Sequence, residues 1–261
     1  MKTMSRYYNH ICTQKYQSLG FSRSKTTFAR MSGDVLQAFA LKHFRFGPIC
    51  TVEFGIFPLC MPQPVFLEAG GYVLDEFFIE QHKGGLGWTF DSSSDESIMN
   101  CAESISNAID LYLLPLFEIS SNCKSALPEL IKLEELFDRN RQIRLHQQGD
   151  SDSAVPWQER SLFDSRKYYM ALKAHNMSYA RQYLNYRVNF YKTKLKSFDN
   201  PNSPRQPDIV RERFLAGQVL CSEQLERLDL GDFSYFDDLL NSNENQMLKY
   251  LADKYPKICF Q

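Results

Sequence analysis

Apolar residues at the start of the chain recur at helical spacing: Tyr8, Ile11, Cys12, Tyr16 and Leu19 share one face of Ser5 to Leu19, and Gly20 follows as a stop. The pattern then changes to strand composition in three segments, Thr26 to Met31, Val35 to Phe46 and Ile49 to Ile56. Ser32-Gly33-Asp34 and Gly47-Pro48 separate them with turn chemistry, and connections this short pair neighbours antiparallel. In the second segment Phe39, Leu41 and His43 fall on one face and Ala38, Ala40 and Phe44 on the other, an imperfect alternation, so both faces are expected to be partly covered. Pro58, Pro62 and Pro64 predict an extended crossing or edge segment without regular ladder pairing over 57–66. Tyr72 to Ile79 suits strand or helix equally, and Trp88 to Phe90 reads as a short closing strand.

Ser93 with Glu96 three residues on has capping-box spacing, and Ile98, Ala102, Ile105, Ile109 and Leu113 continue as one apolar stripe until Pro115 kinks or ends the helix. Strand signals nearly vanish after that. Ser125 opens a helix with Leu127, Leu130, Ile131 and Phe137 on one face. Leu162 to His175 and Ser178 to Lys196 form a helical hairpin turning at Asn176-Met177, and Asp208 to Tyr255 reads as two to three helices broken near Gly231. The fold class is α+β: an N-terminal antiparallel β-sheet with packed helices over residues 1–120, followed by an all-helical C-terminal region over 121–261. Polar linkers are expected near 148–156 and 198–207.

Three stretches carry a family likeness: Leu19-Gly20-Phe21-Ser22-Arg23-Ser24-Lys25-Thr26-Thr27-Phe28, Gly33-Asp34-Val35-Leu36-Gln37-Ala38-Phe39-Ala40-Leu41 and Thr51-Val52-Glu53-Phe54-Gly55-Ile56. In this order they resemble a bacterial family, domain of unknown function 4304, over about Arg6 to Phe117. The resemblance implies a leading helix, a basic loop and successive strands. It carries no activity, and it identifies no catalytic residue.

The 261 residues are 43% hydrophobic with a net charge of −1, a globular composition with no overall bias toward nucleic acid or anionic membrane. The longest strongly apolar run, Leu111 to Phe117, is far shorter than the ~20 residues a spanning helix needs, so no membrane partner is expected. Seven cysteines without a CxxC pair argue against a disulfide framework and a structural zinc site. Reduced, mostly buried thiols, a cytoplasmic location, and no metal or cofactor are the corresponding expectations.

Charge changes the picture because it is blocky. Residues 157–213 carry twelve basic and five acidic groups, whereas 93–156 carry five and eleven and 214–261 four and eight. Within the basic block Tyr179, Arg181, Tyr183, Tyr186, Arg187 and Lys192 interleave rings with cations, the composition of a single-stranded nucleic-acid surface. The competing reading packs these basic helices beside the two acidic segments, with tyrosines flanking the core. His82-Lys83-Gly84-Gly85-Leu86-Gly87 is a candidate anion loop, with His82 and Lys83 supplying charge and Gly84, Gly85 and Gly87 flexibility. It lacks Walker and GxGxxG spacing and also fits a hairpin connection.

No nucleophile, metal or cofactor constellation emerges, so the expectation is a non-enzymatic module whose partner is another protein. The alternatives are nucleic-acid binding through residues 160–196 and an enzyme built from scattered residues such as His43, Glu53, Glu68 and His82. The oligomeric state is open at this stage.

Overall fold

The first helix, α1 (Met4–Tyr16), turns Met4, Tyr8, Cys12 and Tyr16 inward at steps of four. One 3-10 turn, Gln17–Leu19, carries the chain to Gly20, whose φ of +83° reverses it as only glycine does freely. The coordinates are a computed structural model that describes residues 3–44, 47–62, 71–78, 87–147, 164–198 and 208–254.

Six strands follow: β1 (Ser22–Ser24), β2 (Thr27–Ser32), β3 (Val35–His43), β4 (Ile49–Pro58), β5 (Tyr72–Val73) and β6 (Trp88–Thr89). All pair antiparallel in the order β1-β2-β3-β4-β5, with β6 beside the start of β4. In register, Phe28 faces Phe39 and Phe39 faces Phe54. Two expectations are corrected. Ser22–Ser24 is a strand although its polar composition gives no apolar alternation, and β4 extends through Phe57 and Pro58, which pair with Leu36 and Val35. Pro58 is tolerated because it occupies the last strand position. The ambiguous stretch becomes the two residues of β5 and a 3-10 turn, Leu74–Phe78.

From residue 95 onward the described elements are helices. α2 (Asp95–Ala108) is capped by Ser94, whose hydroxyl accepts from the Ser97 N–H at 3.2 Å, not by Ser93, which bonds Asp91 instead. A π turn at Ile109–Leu113 joins α2 to α3 (Leu114–Ile119), where Pro115 sits in the first turn and its missing N–H is harmless. α4 (Cys123–Gln147) is capped by Asn122 accepting from the Ser125 N–H, so Ser125 is inside the first turn rather than the cap. α5 (Ser165–Lys173) and α6 (Met177–Phe198) form the expected hairpin, and α7 (Asp208–Leu230) and α8 (Phe233–Lys254) break at Gly231, φ +71°.

Both sheet faces are covered, as the imperfect alternation of β3 implies. On one face Phe28 and Phe39 stack at 5.2 Å between centroids, and Tyr16 and Phe21 each meet Phe39 edge-on at 5.3 Å. That cluster continues through Ile98, Ile105 and Leu130 to Tyr168, Leu184, Leu228 and Leu240, joining sheet and helices in one core. On the other face Ala29, Leu36, Ala38 and Ala40 receive Met247 and Leu251 of α8. The small alanines let that helix approach closely.

Two polar side chains of the β2–β3 hairpin reach across to the helices. Fully buried Gln37 donates to the carbonyls of Phe117 and Ser120 and accepts from Arg30 Nε at 2.7 Å. Asp34 Oδ1 accepts from the backbone N–H of Cys123 at 2.6 Å.

Candidate interaction surface

The basic block meets the acidic segments of its own chain. Lys167 pairs with Glu134, Lys173 Nζ with Glu244 at 2.9 Å, and Arg181 with Asp229 at 2.8 Å, each pair joining 157–213 to one of the two acidic stretches. The most buried of these charges form one cluster. Asp164 caps α5 by accepting from the Arg166 backbone N–H and also holds the Arg166 guanidinium at 2.6 Å. That guanidinium lies 5.4 Å from the Phe57 ring and 4.9 Å from the Tyr72 ring, while the Tyr72 hydroxyl donates to Glu134 at 3.0 Å. Burial alone would raise the Asp164 pKa, but Arg166 outweighs it and the carboxyl sits below its ordinary value. Burial lowers the Lys167 pKa, opposed by Glu134. Cations and anions alternate and two rings close over them, so the cluster fastens α5 to α4 and the sheet.

The six residues of the candidate basic-aromatic surface are divided by the helix they share. Tyr183 is buried and stacks on Tyr168 at 4.7 Å, a core position rather than one beside the stripe. Tyr179 and Tyr186 are half-buried, one turn to either side of it. Arg187 lies on the same side, bonded to the Tyr191 hydroxyl and 5.6 Å from the Phe190 ring. Arg181 and Lys192 are exposed on the opposite face, Arg181 already holding Asp229. Of the candidate anion loop, His82, Lys83, Gly84 and Gly85 lie outside the described residues. Gly87 is described with φ +97°, and a Cβ there would come within 2.8 Å of the Cys50 carbonyl, which explains the glycine by strand geometry. Of the scattered candidates, Glu68 and His82 are outside the described residues; Glu53 faces Lys42 at 3.6 Å and His43 bonds Ser5 at 3.0 Å.

A cleft of about 600 Å³ lies where α1 ends against β1 and β2, and Arg23, Arg30 and Glu118 are its charged lining. Arg30 is held on three sides: Nε on Gln37, Nη1 on the Leu19 carbonyl at 3.0 Å, and the guanidinium 4.5 Å from the Phe21 ring. It closes the end of the 3-10 turn that follows α1. Among the described residues no group of three His, Cys, Asp or Glu could hold a metal ion. Six cysteines, at 12, 50, 60, 101, 123 and 221, are buried free thiols, and burial pushes Cys12 up to about 12, far from a reactive thiolate. No described helix is long and apolar enough to cross a membrane.

The surface feature that sequence reading missed is α7. Its inner face carries Cys221, Gln224 and Leu228 against the core, and Gly217 lies where a Cβ would come within 2.6 Å of the Tyr191 ring. Its outer side carries Ile209, Leu215, Val219 and Leu220, and Leu230 and Phe233 are exposed apolar side chains at the α7–α8 break. These six are 44% to 77% exposed and make up more than half of the eleven large exposed apolar side chains among the described residues. A helix apolar on two sides has no clear amphipathic pattern, which is why the periodicity gave no warning. The spacing of Ile209, Ala216, Val219, Glu223, Glu226 and Leu230, alternating three and four once Glu212 is included, was the available signal.

No protein-family model, curated protein or solved structure matches this chain, and the likeness to domain of unknown function 4304 stands on the quoted residues alone.

Proposed function

We propose that this protein is a non-enzymatic protein-interaction module that binds through the outer face of α7. The observation that carries the reading is the concentration of exposed apolar side chains between Ile209 and Phe233, six of the eleven among the described residues, of the kind soluble proteins keep for partners. Protein is favoured over nucleic acid because Lys167, Lys173 and Arg181 are engaged by carboxylates of the same chain and the Tyr183 ring is stacked internally. The α7 face sets Glu212, Glu223 and Glu226 against Arg213 and Arg227, so it has no cationic surplus with which to hold phosphates.

Photo-crosslinking in living cells tests this. A benzophenone side chain at Val219 is expected to give one dominant protein adduct that disappears on adding Leu220→Asp, while the same group at exposed Asn245 of α8 gives none. Equal, diffuse adducts at both positions would overturn the reading.

A further inference from the structure

We infer that the outer face of α7 takes a second copy of this chain, the two helices packing antiparallel about a two-fold axis between Val219 and Leu220. This rests on the interaction reading above and names its partner.

Charge order along α7 selects that partner. Outward-facing α7 carries two acid-base doublets, Glu212-Arg213 and Glu226-Arg227, placed symmetrically about the Val219–Leu220 midpoint. An antiparallel pair sets Glu212 opposite the partner's Arg227 and Arg213 opposite the partner's Glu226. Ile209 then meets the partner's Leu230, and Val219 meets the partner's Leu220. Ile209, Val219, Leu220 and Leu230 thus meet apolar side chains, Leu215 stays at the edge of the contact, and each reversed doublet meets its opposite sign. Parallel pairing in register would stack Glu212, Glu223 and Glu226 each on its own copy, a repulsive arrangement. Small Ala216 falls opposite the partner's Glu223 and leaves room for its stem, while half-buried Arg227 keeps its own Glu223 at 3.1 Å, Asp232 at 2.9 Å and the Tyr235 ring at 4.2 Å, so the partner's Glu212 joins a network already in place. The inner face of α7 is held by α6 and the core, so this pairing asks nothing of the fold.

One helix about 34 Å long gives an interface at the small end of the specific range, so association is expected to be concentration-dependent and micromolar. Sedimentation equilibrium on the full chain should show a mass rising from 30.4 kDa toward twice that value across the micromolar range, and less steeply in high salt. Val219→Asp is expected to hold the chain at the monomer mass. The register is tested separately: Glu226→Arg sets like charges together twice across the axis and should weaken the dimer about tenfold. Adding Arg213→Glu to it restores the opposite signs and should recover wild-type association.

A double variant that stays as weak as Glu226→Arg overturns the antiparallel register. A wild-type chain that stays monomeric throughout overturns self-pairing. If Val219 nonetheless yields a single heterologous adduct in cells, the interaction reading survives that failure; if it yields none, both fall.

Discussion

The sheet half and the helical half of this protein are closed by different physics. Around β3 the contacts are between rings: Phe28, Phe39, Tyr16, Phe21 and Phe117 interlock with centroids 5.2 to 6.4 Å apart. Where α5 settles against α4, the contacts are between charges: Asp164, Arg166, Lys167 and Glu134 neutralise one another beneath Phe57 and Tyr72. Ring packing is indifferent to pH and unforgiving of volume, whereas a buried ionic cluster tolerates little imbalance in charge. The comparison also separates what maintains the fold from what is left over, because α7 has its inner face in the shared core and its outer face in solvent.

Four measurements break or sharpen that contrast. Phe39→Ala should cost roughly 3–5 kcal/mol in urea unfolding, by the same amount at neutral and mildly acidic pH. A loss under 1.5 kcal/mol would mean the ring cluster is not the keystone of the sheet half. Lys167→Met strips Glu134 of its cation and should cost roughly 3 kcal/mol, with part recovered in Glu134→Gln/Lys167→Met. Full additivity in that cycle would show that the two groups do not interact.

Acid sharpens the difference further. The Asp164 carboxyl has a folded pKa below its unfolded one, so the unfolded chain binds the extra proton first. Its contribution is therefore present above the ordinary carboxylate value, near ~4, and is lost as pH falls through the depressed folded value. Amide exchange in α5 should accelerate in acid before exchange in β3 does; simultaneous loss would contradict the division. Smallest of all, Val219→Ser should leave the unfolding free energy of the dilute monomer within about ±0.5 kcal/mol of wild type, since an exposed side chain loses little on truncation. A large loss there would show that Val219 belongs to the core.

Much of the architecture was legible in periodicity. The stripe Ile98, Ala102, Ile105, Ile109 and Leu113, running from α2 through the π turn, is buried throughout, and the α7–α8 break at Gly231 and the α5–α6 turn near Asn176 fall where glycine and asparagine placed them. Long-range polar bonds were less legible. Ser93 and Ser125 looked like caps because their spacing was suitable, but Ser94 and Asn122 had the better geometry, which depends on backbone angles rather than residue type. The basic block displayed its sign in the sequence, yet which carboxylates face it is decided by topology. Tyr183 was displaced from the surface to the core by Tyr168, fifteen residues earlier, a contact no local pattern encodes. The α7 patch stayed hidden for the opposite reason: a helix apolar on both sides averages to nothing.

The hairpin turn at Gly33 and Asp34 has a bearing on how the chain can be divided. A Cβ at Gly33 would come within 2.6 Å of the Ser121 carbonyl, Asp34 completes the opening turn of α4, and Gln37 closes the end of α3. The amino-terminal portion thus finishes both boundaries of a helical corner some ninety residues downstream. Expressed by itself, a fragment starting near residue 121 would lack those donors and acceptors, and its leading helix would fray for want of something supplied only by the rest of the polypeptide.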